Sequence, residues 1–436
     1  MNHGWHCPTF ALEVAHVSDL GMRRMNNQDS LAVIVTEDES KWASRGHLLM
    51  VADGMGAHAA GELASKLAAD NIPHTYFKLR DLYPPAALRQ AIREVNSLIF
   101  NKGQSSIGFQ GMGTTCSCLV LLPQGALVAH VGDSRVYRLR GHRLAQLTFD
   151  HSLVWEMAAA GQMAEEDVPS YIPKNVITRS LGPHENVNID LEGPFDAAAG
   201  DVFLICSDGL SGQISDAEIG ALLHCLDPQD AVQTLSDLAN LRGGPDNISI
   251  VVARIPKDDT TKKPRCAPAS ETIAPGPPQP RDGIVLPVAS VVALFALTFC
   301  LVNEWWIAAA VAGVALLTLL GITFSKRGVP GRAGLPASLG GPYGNGPYRD
   351  TVAEPNEKII ASLAEMIEKL RGIPAGQGPA IDWKPLDESI AAGKLAAENR
   401  DYCLAVQHYS AAIRSVMHQL RQHRQKMTDD SGDGRL

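Results

Sequence analysis

Short apolar segments that end beside an aspartate recur through residues 1–255, and they constrain the fold more than any other feature of the chain. These segments are rich in Val, Ile and Leu and are separated by turn residues, a pattern typical of buried β-strands. Residues 1–255 are therefore predicted to form one globular domain in which strands alternate with helices. The predicted strands are His47–Ala52, Leu119–Leu122, Leu127–Val131, Val202–Cys206 and Ile248–Ala253.

Four aspartates lie at the ends of predicted strands. Asp53, Asp133 and Asp208 follow a strand, Asp246 precedes one, and each stands beside Gly or Asn. A single Asp at such a position is usually a turn residue or a helix cap, and that interpretation stays open for each of them alone. Four carboxylates that converge would repel each other unless cations bind between them. All-oxygen ligands suit Mg²⁺ or Mn²⁺, and two such ions can activate a water for attack on a phosphorus atom.

Other classes of function fit the sequence less well. Residues 54–59 (GMGAHA) match the dinucleotide-binding pattern, but Asp53 would bring negative charge next to a pyrophosphate. The net charge of −9 argues against a nucleic-acid partner, which needs a basic surface. The eight cysteines include no C-x-x-C pair, which argues against a structural zinc site. Metal-assisted hydrolysis of a phosphomonoester is the favoured interpretation.

Eight motifs follow one another along residues 18–252. They are SDLGMRRMNNQDS (18–30), VADGMGAHAAGELAS (51–65), GMGTT (111–115), HVGDSRVYRLR (130–140), LTFDHSL (147–153), VITRSLG (176–182), VFLICSDGLSG (202–212) and GGPDNISIVV (243–252). In this order they resemble the motifs of the metal-dependent type 2C protein phosphatases (the PPM group) in their bacterial Ser/Thr form. The resemblance implies an α+β fold, a four-layer αββα sandwich of two mostly antiparallel sheets flanked by helices. It also implies a serine/threonine phosphoprotein phosphatase.

The resemblance implies a metal-binding role for five positions of this sequence. Asp53, the carbonyl of Gly54, Asp208 and Asp246 would hold two Mn²⁺ or Mg²⁺ ions, with Asp53 bridging them. Asp133 matches a position associated with a third, weakly bound ion. A glycine next to a ligand aspartate allows its backbone carbonyl to approach a metal closely.

Five further residues are expected to act on the substrate or to support the metal ligands. Arg24 would grip the substrate phosphate, because a guanidinium donates two parallel hydrogen bonds to phosphoryl oxygens. Asn27 and Asp29 would hydrogen-bond to metal-bound waters, and Asn247 would orient the ligand loop. His58 is a candidate general acid for the leaving alkoxide, with a packing role at a helix start as the alternative.

The expected substrates are proteins phosphorylated on Ser or Thr, with a protein kinase and its substrates as expected partners. Residues 150–180 match the variable flap of the family, where substrate selection is expected. Two alternatives share the same site. One is a catalytically silent pseudophosphatase that acts as a phosphoprotein-binding scaffold at the membrane, and the other is a phosphatase of small-molecule esters.

Beyond the catalytic domain the composition changes twice. Residues 256–283 form a Pro-rich linker, and 284–302 and 307–324 are apolar blocks without a charge. Each block is long enough to cross a bilayer, so 284–324 is predicted to form two transmembrane helices in contact with lipid, with a buried core hairpin as the alternative. Basic residues flank the outer ends of the pair and are absent from its turn, which predicts a cell-membrane protein with both termini in the cytoplasm.

The last part of the chain is predicted to be helical. Residues 325–353 are a second, Gly/Pro-rich linker, and 354–427 carry apolar residues at helical spacing. The small and aromatic residues from Gly393 to Ala412 resemble one tetratricopeptide repeat, while an amphipathic coiled coil or a helical hairpin explains them equally well. This cytosolic tail is expected to bind a protein partner.

Overall fold

Two antiparallel sheets form the centre of the protein, whose computed structural model describes residues 11–56, 59–161, 176–257, 339, 341–372 and 381–432. One sheet has the strand order β1-β11-β10-β7-β8-β12, and the other has the order β2-β3-β5-β6-β9 with β4 paired to β3. The strands are β1 Glu13–Asp19, β2 Asp29–Ile34, β3 His47–Met55, β4 Gly113–Thr114, β5 Cys116–Leu122, β6 Gly125–Val131, β7 Arg135–Arg140, β8 Arg143–Gln146, β9 Asp190–Phe195, β10 Val202–Cys206, β11 Ile248–Arg254 and β12 Arg349–Val352.

Helices cover the outer faces of both sheets. The described helices are α1 Glu39–Arg45, α2 Ala59–Lys78, α3 Pro84–Gln104, α4 Leu153–Ala159, α5 Asp208–Ser211, α6 Asp216–Cys225, α7 Pro228–Leu241, α8 Glu357–Arg371, α9 Lys384–Glu398 and α10 Tyr402–Gly432, with a 3₁₀ turn at Ile107–Phe109. Local capping explains several starts: Ser215 and Glu218 form a capping box at α6, and Asp227 caps α7 ahead of a proline.

Strand β3 shows why the apolar runs are continuous and not alternating. Leu48 and Met50 pack with α2 and α3, whereas Leu49 and Val51 pack between the two sheets. Successive side chains of a strand point to opposite faces, so a strand that is covered on both faces is apolar throughout. The predicted four-layer sandwich of antiparallel sheets flanked by helices is confirmed.

The predicted linker over 325–353 is wrong for its last residues. Strand β12 pairs antiparallel with β8 and becomes the edge of the first sheet. Two residues just before β12 contact the buried Glu192 of β9: Tyr348 donates to it from Oη at 2.6 Å, and Gly346 donates from its backbone N–H at 3.0 Å. Contacts with β8 and Glu192 hold residues 346–352 in place. The Gly and Pro residues before β12 do not themselves favour a strand.

The C-terminal helices pack on the sandwich and share its core. Residues of α8, α9 and α10 belong to the same buried cluster as α6 and α7. Gly220 of α6 allows the residue after β12 to approach closely, since a Cβ at Gly220 would lie 2.5 Å from the Cβ of Ala353. Arg414 of α10 pairs with Asp230 of α7 at 2.7 Å, and Gln407 donates to the carbonyl of Cys225 at 2.9 Å.

The two predicted membrane spans, 284–302 and 307–324, lie outside the described residues, as does nearly all of the Pro-rich linker. Within the part of the chain that the structure does describe, no helix combines the length and the apolar character needed to cross a membrane.

Candidate active site

Asn247 holds both ends of the loop that carries Arg24. Its side-chain nitrogen donates to the carbonyls of Leu20 and Asn26 at 2.9 and 3.1 Å, and its side-chain oxygen accepts from the backbone N–H of Gln28 at 2.9 Å. Asn247 is buried, so its three hydrogen bonds satisfy most of an amide that is shielded from water. The structure therefore gives Asn247 a direct role in shaping loop 20–28.

Loop 20–28 lies directly on the loop between α7 and β11. Gly21 has a φ of +80°, and a Cβ there would overlap the carbonyl oxygen of Asp246, so the contact requires glycine. The carbonyl of Gly244 accepts from the backbone N–H groups of Met22 and Arg23 at 2.9 and 3.2 Å. Two segments far apart in sequence are thereby joined through their backbones.

Strands β2 and β3 bring Asp29 and Asp53 side by side, because the two residues are directly opposite in the antiparallel register. Thr115 fixes the backbone of Asp53: its Oγ1 accepts from the N–H of Asp53, and its own N–H donates to the Asp53 carbonyl, both at 2.8 Å. Asp29 accepts a hydrogen bond from Ser207 Oγ at 2.8 Å. Ser207 was not predicted as a site residue, although it stands next to Asp208 in the sequence.

The predicted metal-binding aspartates perturb one another. Burial and the charges of Asp29 and Asp208 raise the pKa of Asp53 well above its usual range. Burial and the charge of Asp246 raise the pKa of Asp208, and burial and the charge of Asp208 raise that of Asp133. Carboxyl groups with these shifts resist ionisation unless positive charge is placed among them.

Arg24 and Asp246 form an ion pair at the open side of this cluster. Arg24 Nη2 lies 2.7 Å from Asp246 Oδ2, and the side chains are 47% and 32% exposed. The hydrogen bond from Arg24 and the charges of Asp53 and Asp208 favour the cationic guanidinium and raise the pKa of Arg24. The predicted phosphate-binding residue thus lies beside a predicted metal ligand and is open to solvent.

The donor set fits a hard divalent cation in its chemistry. One buried carboxylate oxygen on each of Asp29, Asp133 and Asp208 has no hydrogen-bond partner. Buried polar atoms are normally paired, so these oxygens are available to a ligand. Among the described residues, however, no three His, Cys, Asp or Glu side chains are arranged around a common point as ligands of one ion. The structure gathers the carboxylates without arranging them as a complete ligand shell.

Gly54 contributes through its backbone and Asn27 through its side-chain amide. Gly54 donates from its N–H to the carbonyl of Gln28 at 3.1 Å, and a Cβ at Gly54 would overlap the carbonyl oxygen of Gly61. Asn27 Nδ2 donates to Ser18 Oγ at 2.9 Å, and Asn27 Oδ1 accepts from the next residue but one, Asp29, at 3.1 Å. Asn27 therefore supports the end of the loop in this structure.

His58 and residues 162–175 of the predicted flap lie outside the described residues. Their expected roles, as general acid and as substrate-selecting flap, stay predictions.

Two buried histidines beneath the loop of Asp133 were not predicted as part of the site. His130 Nδ1 lies 2.9 Å from Ser117 Oγ, and that hydroxyl donates to the carbonyl of Ser134. A hydroxyl has one proton, so Nδ1 of His130 carries the hydrogen of the contact. Nε2 of His130 is buried without a partner. Burial and the neighbouring His151 ring, whose centroid is 4.8 Å away, lower the pKa of His130 to about 3.

The sequence matches a family model of protein phosphatase 2C over residues 22–240, half of the chain. The chain belongs to the protein phosphatase 2C family. Protein phosphatase PhpP of Streptococcus pneumoniae is 34% identical over 257 residues, a match that covers 57% of this chain and 99% of that protein. Serine/threonine phosphatase stp of Listeria monocytogenes is 34% identical over 262 residues and is matched over 97% of its length and 57% of this chain.

A solved structure of the Streptococcus agalactiae serine/threonine phosphatase is also similar. It matches 56% of this chain and 100% of its own, with 34% identity and a TM-score of 0.50. The predicted enzyme class is confirmed: this chain is a protein serine/threonine phosphatase of the 2C family. These relatives match 56–57% of this chain, and the family model ends at residue 240, before the C-terminal helices α8 to α10.

Proposed function

We propose that this phosphatase hydrolyses phosphoserine and phosphothreonine esters of proteins with the help of two Mn²⁺ or Mg²⁺ ions. Asp53, Asp208, Asp246 and the carbonyl of Gly54 would hold these ions, with Asp133 available to a third. The observation that carries the proposal is the group of carboxylates with raised pKa values and unpaired buried oxygens beside Arg24. Such a group favours bound cations over isolated charges.

Bound divalent cations supply a water of lowered pKa and neutralise charge on the phosphoryl group. The residues of the protein position the substrate and the metal ligands. Arg24 orients the phosphate, since its guanidinium matches two phosphoryl oxygens, and phosphate would compete with Asp246 for it. Asn247 keeps the loop of Arg24 in place through three hydrogen bonds. Thr115, which stands between β4 and β5 in the same sheet as Asp53, fixes the backbone of Asp53.

The test compares Asp208→Asn and Asp53→Ala with Asp227→Asn in the full-length chain. Asp227 caps α7 away from the site, and asparagine caps a helix equally well, so this variant is a matched control. We expect turnover of a phosphopeptide to fall roughly 100-fold or more in the two site variants. Calorimetric titration should show weakened Mn²⁺ binding in the same two variants and unchanged binding in Asp227→Asn.

Near-normal turnover of Asp208→Asn at saturating Mn²⁺ would contradict the proposed metal site. The alternative of a catalytically silent scaffold makes a different prediction, because the wild type would then bind phosphopeptides and release no phosphate. A comparison of phosphopeptides with sugar phosphates separates a protein phosphatase from an enzyme of small-molecule esters.

We also propose that the protein is anchored in the cell membrane by two spans, about 284–302 and 307–324, with the catalytic domain and the tail in the cytoplasm. The support is the absence of charge in both blocks and the basic residues that flank their outer ends. Carbonate-washed membranes should retain the full chain, and a variant that lacks 284–324 should stay in the supernatant. Full-length protein in the supernatant would refute the anchor.

Membrane tethering would hold the phosphatase near a kinase and its substrates, and the tail would contribute a binding surface. Pull-down experiments with and without residues 354–427 test this proposal. An unchanged set of captured phosphoproteins would argue against a partner for the tail.

A further inference from the structure

One arginine of helix α10, Arg421, contacts the end of β1. Arg421 Nη2 lies 2.6 Å from Asp237 Oδ1 and 3.5 Å from Asp19 Oδ2. Asp237 belongs to α7 and is fully buried, and Gln233 donates to the same Oδ1 at 2.9 Å. Arg421 therefore bridges two carboxylates, one of helix α7 and one of strand β1.

Asp19 is the last residue of β1 and stands directly before loop 20–28, which carries Arg24. Its Oδ1 accepts from the backbone N–H of Gly21 at 2.8 Å and from Asn240 Nδ2 at 3.0 Å. The other oxygen, Oδ2, lies toward Arg421. One carboxylate thus joins the start of the phosphate-binding loop, the C-terminal end of α7 and the tail.

The end of α7 also holds the opposite loop of the site. The carbonyls of Asn240 and Ala239 accept from the N–H groups of Gly243 and Gly244 at 3.0 and 3.1 Å. The carbonyl of Gly244 in turn accepts from the backbone of loop 20–28. The contacts from α10 to the loop of Arg24 form a continuous series. In this series the side chain of Asp19 lies between Arg421 and loop 20–28.

We infer that Arg421 is a positioning residue of the active site: by fixing Asp19, the tail sets the conformation of loop 20–28 and hence the place of the Arg24 guanidinium. This inference rests on the proposed role of Arg24 in binding the substrate phosphate. Loss of the contact should weaken substrate binding more than turnover, because Asp53 and Asp208 of the predicted metal site lie in β3 and just after β10, outside loop 20–28. A partner that draws α10 away would have the same effect.

The test uses three single substitutions in the full-length chain. Asp19→Asn keeps an oxygen to accept from Gly21 and Asn240 and removes the charge that faces Arg421. Arg421→Met removes the bridge itself but leaves the buried Asp237 without its cation. Arg414→Met is the matched control, because Arg414 lies two turns earlier on α10 and pairs with Asp230 and Thr234, neither of which belongs to the site loops.

We expect the KM for an aryl phosphate monoester to rise about threefold or more in Asp19→Asn and Arg421→Met, with kcat changed less than about twofold. Arg414→Met should leave KM unchanged. In an Arg24→Ala background, where KM is already raised, Asp19→Asn should add no further increase, since residues that act through one another are not additive.

Each contrary outcome is decisive. If Arg24→Ala leaves KM unchanged, the role of Arg24 fails and this inference fails with it. If Arg24→Ala raises KM but Asp19→Asn and Arg421→Met do not, the inference alone is overturned. An equal rise in Arg414→Met would also overturn it, because the tail would then act through its docking as a whole. Melting curves identify a variant that has lost its fold, and Asp19→Asn retains every neutral hydrogen bond of the loop.

Discussion

Acidification should destabilise the fold through His130, which lies beneath the loop of Asp133. Its pKa is lowered to about 3 by burial and by the adjacent His151, whereas an unfolded chain titrates its histidines near pH 6.5. Between these two values the unfolded chain binds a proton that the folded protein does not. His130 therefore makes its full contribution to the free energy of unfolding above about pH 6.5, and this contribution declines as the pH falls below that value.

The magnitude follows from the linkage relation. Each pH unit below about 6.5 costs about 1.4 kcal/mol per proton, so His130 should remove about 2 kcal/mol between pH 7 and pH 5. The structural reason for the lowered pKa is that Nε2 of His130 has no hydrogen-bond partner, so that protonation would make it a buried charged donor without an acceptor.

The carboxyl groups of the site act in the opposite direction, so the total pH dependence does not isolate the histidine. Raised pKa values at Asp53 and Asp133 mean that protonation on acidification relieves repulsion in the metal-free protein. The comparison must therefore be made between the wild type and His130→Asn, whose side-chain nitrogen can take the place of Nδ1 near Ser117.

Urea unfolding in the presence of a chelator, at several values between about pH 7 and pH 5, measures the free energy of unfolding of both proteins. The wild type should lose about 2 kcal/mol relative to His130→Asn across this range. A difference between the two proteins that stays constant with pH would refute the reasoning, because the histidine would then keep the same protonation state folded and unfolded.

Three further results are expected. Gly54→Ala should cost about 1–3 kcal/mol and most of the activity, because the new methyl group meets the backbone of Gly61; urea unfolding and phosphate release measure both effects. Tyr348→Phe should lower the free energy of unfolding by about 1.5–3 kcal/mol, because the buried Glu192 loses a charged hydrogen bond, and an unchanged urea midpoint would contradict this. Addition of Mn²⁺ at about 100 times its Kd to chelated protein should add about 2.7 kcal/mol for each ion bound, or roughly 5–10 °C in melting temperature per ion.

The sheets and the approach of the aspartates could be predicted from the sequence because both depend on local patterns. An apolar run such as His47–Ala52 has few alternatives to a buried strand, and Asp53 follows it directly. Antiparallel pairing then places Asp29 opposite Asp53, as the structure shows. The family motifs supplied the roles of these residues, which the apolar pattern alone leaves open.

The contacts of the C-terminal part could not be predicted in the same way. Residues 349–352 carry no strand signal of their own, and they become β12 only because β8 offers a free edge. The bridge from Arg421 to Asp19 joins residues 402 positions apart, and no spacing in the sequence indicates it. Tertiary packing decides such features, and packing is not encoded in any single segment.

Because β12 completes the first sheet, that sheet is built from two segments that are separated in the sequence. This affects how the protein should be produced. A fragment cut at residue 255 would leave β8 with unsatisfied N–H and C=O groups along its outer side, a known seed for intermolecular strand pairing. It would also uncover the apolar faces of α6 and α7. The fragment cut at residue 255 should therefore aggregate, while the same fragment joined to the stretch beyond residue 340 without 284–324 should remain monodisperse.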